Sequence, residues 1–143
     1  MSSLWIQNLP HMDKLTLHAS FPVSADRLFN DWLSSEGHSA MTRSRAHIHP
    51  KADSPYSAGD GYISGITIEL EQGRRILQSW RTSDFNTTDT DAMLELILDS
   101  TDTGCTLHLR QWNLPDGSAN DYERGWQQFY FAPMLQYYEE GKK

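Results

Sequence analysis

The residues in this sequence whose types and spacing could do chemistry are a set of histidines and a Trp-Arg pair. His47 and His49 in "SRAHIHP" are two positions apart, so on a strand both rings point to one face. His18 lies on the polar side of "DKLTLHASF". If these two segments are neighbouring strands, three imidazoles converge on an outer face with the ligand chemistry of a zinc, nickel or copper site. Solvated histidines on a convex sheet face are the commoner outcome of the same pattern, and no metal or other cofactor is expected.

Trp80 and Arg81 stand side by side in "RRILQSWRTS". Arg81 could orient a carboxylate or a polarised carbonyl inside an apolar pocket. It could equally lie on the outer face, paired across strands with Glu69 or Glu95. The strand parity allows both, because Ile76 and Trp80 share one side while Leu77 and Arg81 share the other. Cys105 falls on the apolar side of "GCTLHLRQW", the place of a small core residue rather than a nucleophile. His108 falls on the polar side of the same segment. No nucleophile elbow and no glycine-rich phosphate loop occurs, so catalysis is the minority expectation.

These groups must be positioned by one chain of 143 residues, long enough to bury roughly 70% of its unfolded surface. Five Trp, six Tyr and five Phe supply large core or cavity-lining groups. Twelve Lys and Arg against 19 Asp and Glu give a formal charge of -7, which argues against nucleic-acid or anionic-membrane binding. A single cysteine cannot form an intrachain disulfide, and "MSSLWIQNLPHM" reads as an N-terminal arm (1–12) rather than a signal peptide. No stretch reaches the ~18 apolar residues of a membrane span. The expectation is a cytoplasmic protein with one domain, 1–143.

The periodicities give the elements. "DKLTLHASF" alternates, with Leu15, Leu17, Ala19 and Phe21 on one side. Pro22 ends that strand and Ser24 is placed to cap a helix carrying Leu28, Phe29, Trp32 and Leu33. Gly37 is expected to break it before a second short helix at Ser39 to Arg43. "SRAHIHP" reads as a short strand and "KADSPYSAGDG" as a loop. "GDGYISGITIELEQGRRILQSWRTSDF" reads as a strand, a turn at Gly73 and a return strand. Tyr62, Ser64, Ile66, Ile68 and Leu70 are expected to share a face. "AMLELILDS" and "GCTLHLRQW" are two further strands joined by "STDTG". The tail from Ser118 reads as a long helix with a stripe of Tyr122, Trp126, Phe129, Pro133 and Tyr137, kinked at Pro133. Strands joined by short turns make an antiparallel sheet, and its apolar face needs the final helix as a cover.

This order resembles the helix-grip fold of the START-like (SRPBCC) superfamily. More narrowly, "GYISGITIEL", "RRILQSWR", "TGCTLHLRQWNLP" and "ERGWQQFYFAPM" resemble the C-terminal domain of the activator of the heat-shock-protein ATPase. The matching positions are Gly61, Gly65, Ile76, Trp80, Arg81, Gly125, Trp126, Phe129 and Tyr130, and the resemblance spans roughly 13–140. The hairpin turn, often Pro-containing in that family, is Gln72-Gly73 here. The resemblance implies an α+β fold, a curved sheet of about six antiparallel strands around a long C-terminal helix, with one or two short helices after the first strand.

A sheet gripping a helix leaves a space between them. The expected function is noncatalytic binding of an apolar or aromatic small molecule there, by Phe29, Tyr62, Trp80, Arg81, Trp126, Phe129 and Tyr130. Two other expectations follow from the resemblance: contact with a cytosolic heat-shock chaperone, and a cyclase- or dehydratase-like enzyme. Homodimerisation through Trp5, Trp112 or a sheet edge is a further expectation.

Overall fold

The computed structural model describes residues 12–141. The arm, with Trp5 and His11, lies outside them apart from Met12. The alternation of "DKLTLHASF" becomes β1, Asp13–Phe21, with Leu15, Leu17 and Phe21 buried. Ser24 caps α1, Ala25–Trp32, its hydroxyl accepting the Arg27 amide at 3.1 Å. Leu28, Phe29, Trp32 and Leu33 form the buried stripe. The second helix, α2, is Ser35–Thr42, so the expected break at Gly37 falls earlier. Ser34 makes the new start by accepting the Gly37 amide at 3.0 Å. Gly37 sits inside α2 because a Cβ there would stand 2.8 Å from the Asp31 Cα.

"SRAHIHP" is not a strand. His47 makes one isolated bridge to Ser57, and the strand lies in what read as loop: β2, Ser54–Ala58. Pro55 is tolerated because β2 is an edge, where a missing donor faces no partner. β3 (Ile63–Glu71), β4 (Arg75–Thr82), β5 (Ala92–Thr101) and β6 (Gly104–Leu114) complete a six-stranded antiparallel sheet in the order β1-β6-β5-β4-β3-β2. The first strand therefore pairs with the last. Leu94, Leu96 and Leu98 of β5 and Cys105, Leu107 and Leu109 of β6 point into the core as their alternation predicts.

β3 departs from its expected parity. Ile63 and Thr67 are buried, whereas Ile66 is exposed. A bulge between Thr67 and Glu69 then switches faces, so Leu70 pairs with Ile76 and packs against the core. The strand also bends at Gly65, where a Cβ would lie 2.0 Å from the Ser79 carbonyl oxygen. Side chains satisfy the backbone at this bend: the Ile66 amide donates to Ser79 Oγ at 2.9 Å, and Tyr56 Oη donates to the Ser79 carbonyl at 2.7 Å. Gly61 lies in the β2–β3 turn rather than in the strand.

Ala119–Gly125, Trp126–Phe131 and Ala132–Glu140 run on as one helix, α3. Its middle stretch is π-wound, with the Ala132 amide reaching the Gln127 carbonyl. Pro133 has no N–H, and in an α-helix its ring would crowd the Phe129 carbonyl. The wider π turn accommodates it. The buried face consequently runs Trp126, Tyr130, Met134, Tyr138, and Phe129 is 62% exposed. Both ends of α3 are pinned. Asp13 Oδ2 accepts the Ala119 amide at 2.9 Å, and the Tyr138 hydroxyl donates to Asp31 Oδ2 at 2.7 Å.

Candidate functional site

α3 packs most closely on β1 and α2 and leaves the β3–β4 side of the sheet less covered. A cavity of about 920 Å³, open to solvent, occupies that side. Its walls are Trp80 from β4, Trp126, Phe129 and Tyr130 from the π-wound stretch, and Tyr62 and Ile63 from the entry to β3. Arg43, Ser44, Asp84 and Gln128 also border it. Thus Tyr62, Trp80, Trp126, Phe129 and Tyr130 are brought together. Phe29 is placed in the core beneath α1, and Arg81 on the outer face, and neither lines the cavity.

The wall is a run of aromatic rings. Trp126 lies between Trp80 and Trp32, with ring centroids 5.9 and 6.3 Å away and interplanar angles of 29° and 24°. Tyr122 meets Trp80 edge-on at 5.0 Å. Two buried indole donors, those of Trp32 and Trp126, are satisfied from behind, by the sheet. Trp32 Nε1 donates to Gln78 Oε1 at 3.3 Å, and Gln78 Nε2 donates on to Thr67 Oγ1 at 3.1 Å. Trp126 Nε1 donates to Gln111 Oε1 at 2.8 Å, which leaves Gln111 Nε2 buried without a hydrogen-bond partner. These bonds fix the rings' orientation before any ligand arrives.

His38 anchors the wall and was not singled out by sequence reasoning. It is 2% exposed. Nδ1 lies 2.8 Å from the Trp32 carbonyl and Nε2 lies 2.8 Å from the Tyr130 hydroxyl. Only an N–H can face the carbonyl, so Nδ1 donates and Nε2 accepts from Tyr130. Burial holds His38 neutral, lowering its pKa to about 4, against the opposing pull of the Trp32 carbonyl. Burial likewise raises the Tyr130 phenol. The available signal was helical spacing: His38, Met41 and Thr42 are the buried positions of α2.

The cavity's polar rim is a linked set. The Tyr62 hydroxyl donates to Asp84 Oδ2 at 2.6 Å, and Tyr122 and Thr82 share a hydroxyl bond of 2.7 Å. Tyr62 is raised by partial burial and then by its bond to Asp84, and Tyr122 is raised by burial. Both are neutral phenols at physiological pH. Arg43, in a left-handed conformation at the end of α2, brings the cation to the lining. The arrangement can hold a flat apolar body by burial and stacking, and can read a polar edge at the rim.

Arg81 does other work. Its Nη1 donates to Asp91 Oδ1 at 2.7 Å and to the Asp89 carbonyl at 3.1 Å, and its Nη2 donates to the Asn86 carbonyl at 3.0 Å. It ties down the acidic β4–β5 loop. Glu69 and Glu95, the partners expected for it, both hold Arg75 instead, at 2.9 and 2.8 Å. The three-histidine convergence is overturned by the sheet order. His18 is on one edge strand, whereas His47 and His49 lie beside β2 at the other. His18 instead faces His108. Among the described residues, no group of three or more His, Cys, Asp or Glu is placed to hold a metal ion. Cys105 is fully buried and its thiol is pushed up to about 11 by burial. Trp112 lies under the Arg110 guanidinium at 4.7 Å. No helix among the described residues is long and apolar enough to cross a membrane.

A curved antiparallel sheet gripping a long C-terminal helix, with two short helices after the first strand, defines a START-like protein of the α+β class. Residues 22–139 match the family described as "Activator of Hsp90 ATPase homolog 1-like protein", and the chain belongs to that family. No curated protein matches the sequence. Solved structures share the fold. An HSP90 activator from Plasmodium falciparum is 20% identical with a TM-score of 0.72, over 83% of this chain and 90% of that one. A protein of Mesorhizobium loti is 13% identical with a TM-score of 0.75, over 90% and 98%. DynU16, a protein in the dynemicin biosynthetic locus, is 15% identical with a TM-score of 0.75, over 90% of this chain and 48% of that one.

Proposed function

We propose that this protein binds an apolar or aromatic small molecule in the cavity between α3 and the β3–β4 side of the sheet, without transforming it, as one cytoplasmic domain. The observation that carries the reading is the wall of Trp80, Trp126 and Tyr130, the last two held by hydrogen bonds to Gln111 and His38, facing about 920 Å³ of accessible space. That volume is in the range of small-molecule sites.

Native mass spectrometry of gently purified protein, against its denatured mass, tests the reading and reports the oligomeric state, including a homodimer. A mass excess lost on denaturation supports it. Bare protein whose tryptophan fluorescence is also unmoved by a panel of planar aromatic compounds overturns it.

A second reading is favoured by the family match and by the likeness to an HSP90 activator. In it the domain contacts a cytosolic heat-shock chaperone. An ATPase assay with that chaperone, showing neither binding nor stimulation, would dismiss it.

A further inference from the structure

The outer face of the sheet carries a polar chain that the cavity does not use. His18 on β1 and His108 on β6 are directly opposite in register. Their Nδ1 atoms are 2.7 Å apart and the rings meet nearly edge to face, at 78°. His108 Nε2 lies 2.9 Å from Asp99 Oδ2, and Asp99 in turn is bound by Arg74. The Arg74 guanidinium also donates to the Leu98 carbonyl at 3.0 Å, which fixes it on β5.

We propose that His18 and His108 form a surface site for a divalent copper or nickel ion, bound through both Nδ1 atoms and completed by water. Three observations carry this. First, the carboxylate sets the tautomer. Asp99 accepts the Nε2–H of His108, so the Nδ1 of His108 presents a lone pair, as in carboxylate-histidine-metal arrangements. Second, strand register holds the two rings in contact, with their Nδ1 atoms sharing one hydrogen bond of 2.7 Å, so an ion arriving along the His108 Nδ1 lone pair meets the His18 ring at once. Imidazole nitrogen suits copper and nickel, and copper(II) heads the affinity order of the divalent ions. Third, both rings are on the solvent face, where the His18 ring can rotate about Cβ–Cγ while His108 keeps its bond to Asp99, and water can fill the remaining positions. The single His18 proton moves from Nδ1 to Nε2 by exchange with water, so the imidazole stays neutral and no net proton is released.

Copper(II) sulfate titrated into the full-length protein by calorimetry, with electron paramagnetic resonance of the complex, tests the site. Expected is one equivalent bound, with two nitrogen ligands in the spectrum. His18→Ala and His108→Ala should each weaken binding at least tenfold. Asp99→Asn should weaken it by a smaller factor, and the His47→Ala/His49→Ala double variant should leave it unchanged. Unaltered affinity in His18→Ala or His108→Ala overturns the proposal, as does loss of binding in the His47/His49 variant alone. Circular dichroism confirms that each variant is folded, which these exposed positions allow.

Discussion

The Tyr130 hydroxyl donates to His38 Nε2 at 2.8 Å, while the opposite ring nitrogen donates to the Trp32 carbonyl at the same distance. One buried imidazole thus joins α1, α2 and α3 behind the cavity wall. Its charged form is disfavoured by burial, and this couples stability to pH. The unfolded chain takes a proton on this histidine below its ordinary pKa of 6.5, and the folded chain only below about 4. The contribution is therefore complete above pH 6.5 and is lost as pH falls from 6.5 to 4, by about 3 kcal/mol. Urea unfolding of wild type and His38→Gln at pH 7.5 and 4.5 checks this. The wild type should lose more of its midpoint than the variant, and equal losses would remove His38 as the cause.

Tyr130→Phe takes away the donor and leaves His38 Nε2 as a buried acceptor without a partner. The cost should be about 1–3 kcal/mol, the desolvation penalty of an unmet polar group. A urea midpoint within error of wild type would mean that another donor reaches the ring.

The bend in β3 predicts two unequal losses. Gly65→Ala places a methyl group 2.0 Å from the Ser79 carbonyl oxygen, so the strands must part. Tyr56→Phe removes only the hydroxyl bond to that same oxygen. The second should cost about 1–3 kcal/mol, and the first should cost more, since it breaks the ladder as well. Expression and thermal melting rank the two, and a Gly65→Ala protein as stable as wild type would refute the close approach.

Much of this architecture was legible because single-face alternation is a strong signal. β1, β5 and β6 alternate over most of their length, burying Leu15 and Leu17, Leu94, Leu96 and Leu98, and Cys105, Leu107 and Leu109, and the stripe of α1 has its inward residues where the spacing puts them. β2 was hidden by Pro55 and its turn-forming neighbours, whose cost vanishes on an edge that no local pattern announces. The inward side of β3 was misread because a bulge changes parity without changing composition. At the site, Tyr62, Trp80, Trp126, Phe129 and Tyr130 were recognised as large aromatic groups near the covering helix. Arg81 required the parity of β4, which apolar residues on both sides left ambiguous. The pairing of His18 with His108 depends on strand order, a long-range property.

Phe129 separates binding from folding. It is largely exposed at the cavity wall, so Phe129→Ala should change stability by no more than about 0.5 kcal/mol. Under the proposed function the same change removes a stacking surface and should weaken ligand retention several-fold. Native mass spectra of the two proteins purified in parallel provide the comparison. Equal ligand occupancy would place the ligand elsewhere.

Pro133 controls the shape of the wall. It lacks the N–H that an α-helical turn would direct at the Phe129 carbonyl, and the π-wound stretch Trp126–Phe131 ends immediately before Ala132-Pro133. Pro133→Ala restores that donor and removes the ring's crowding, at a helix position where proline is disfavoured by about 3 kcal/mol. Part of that gain should appear as stability, limited by the packing of Trp126 and Tyr130 against Trp32 and His38. If the stretch rewinds to an α-helix, the residues that follow rotate relative to Trp126, Phe129 shifts at the wall, and ligand retention falls. A crystal structure of the variant, with hydrogen exchange of α3, reports the winding directly. A more stable protein with unchanged winding would show that the aromatic packing, rather than the proline, sets the π turn.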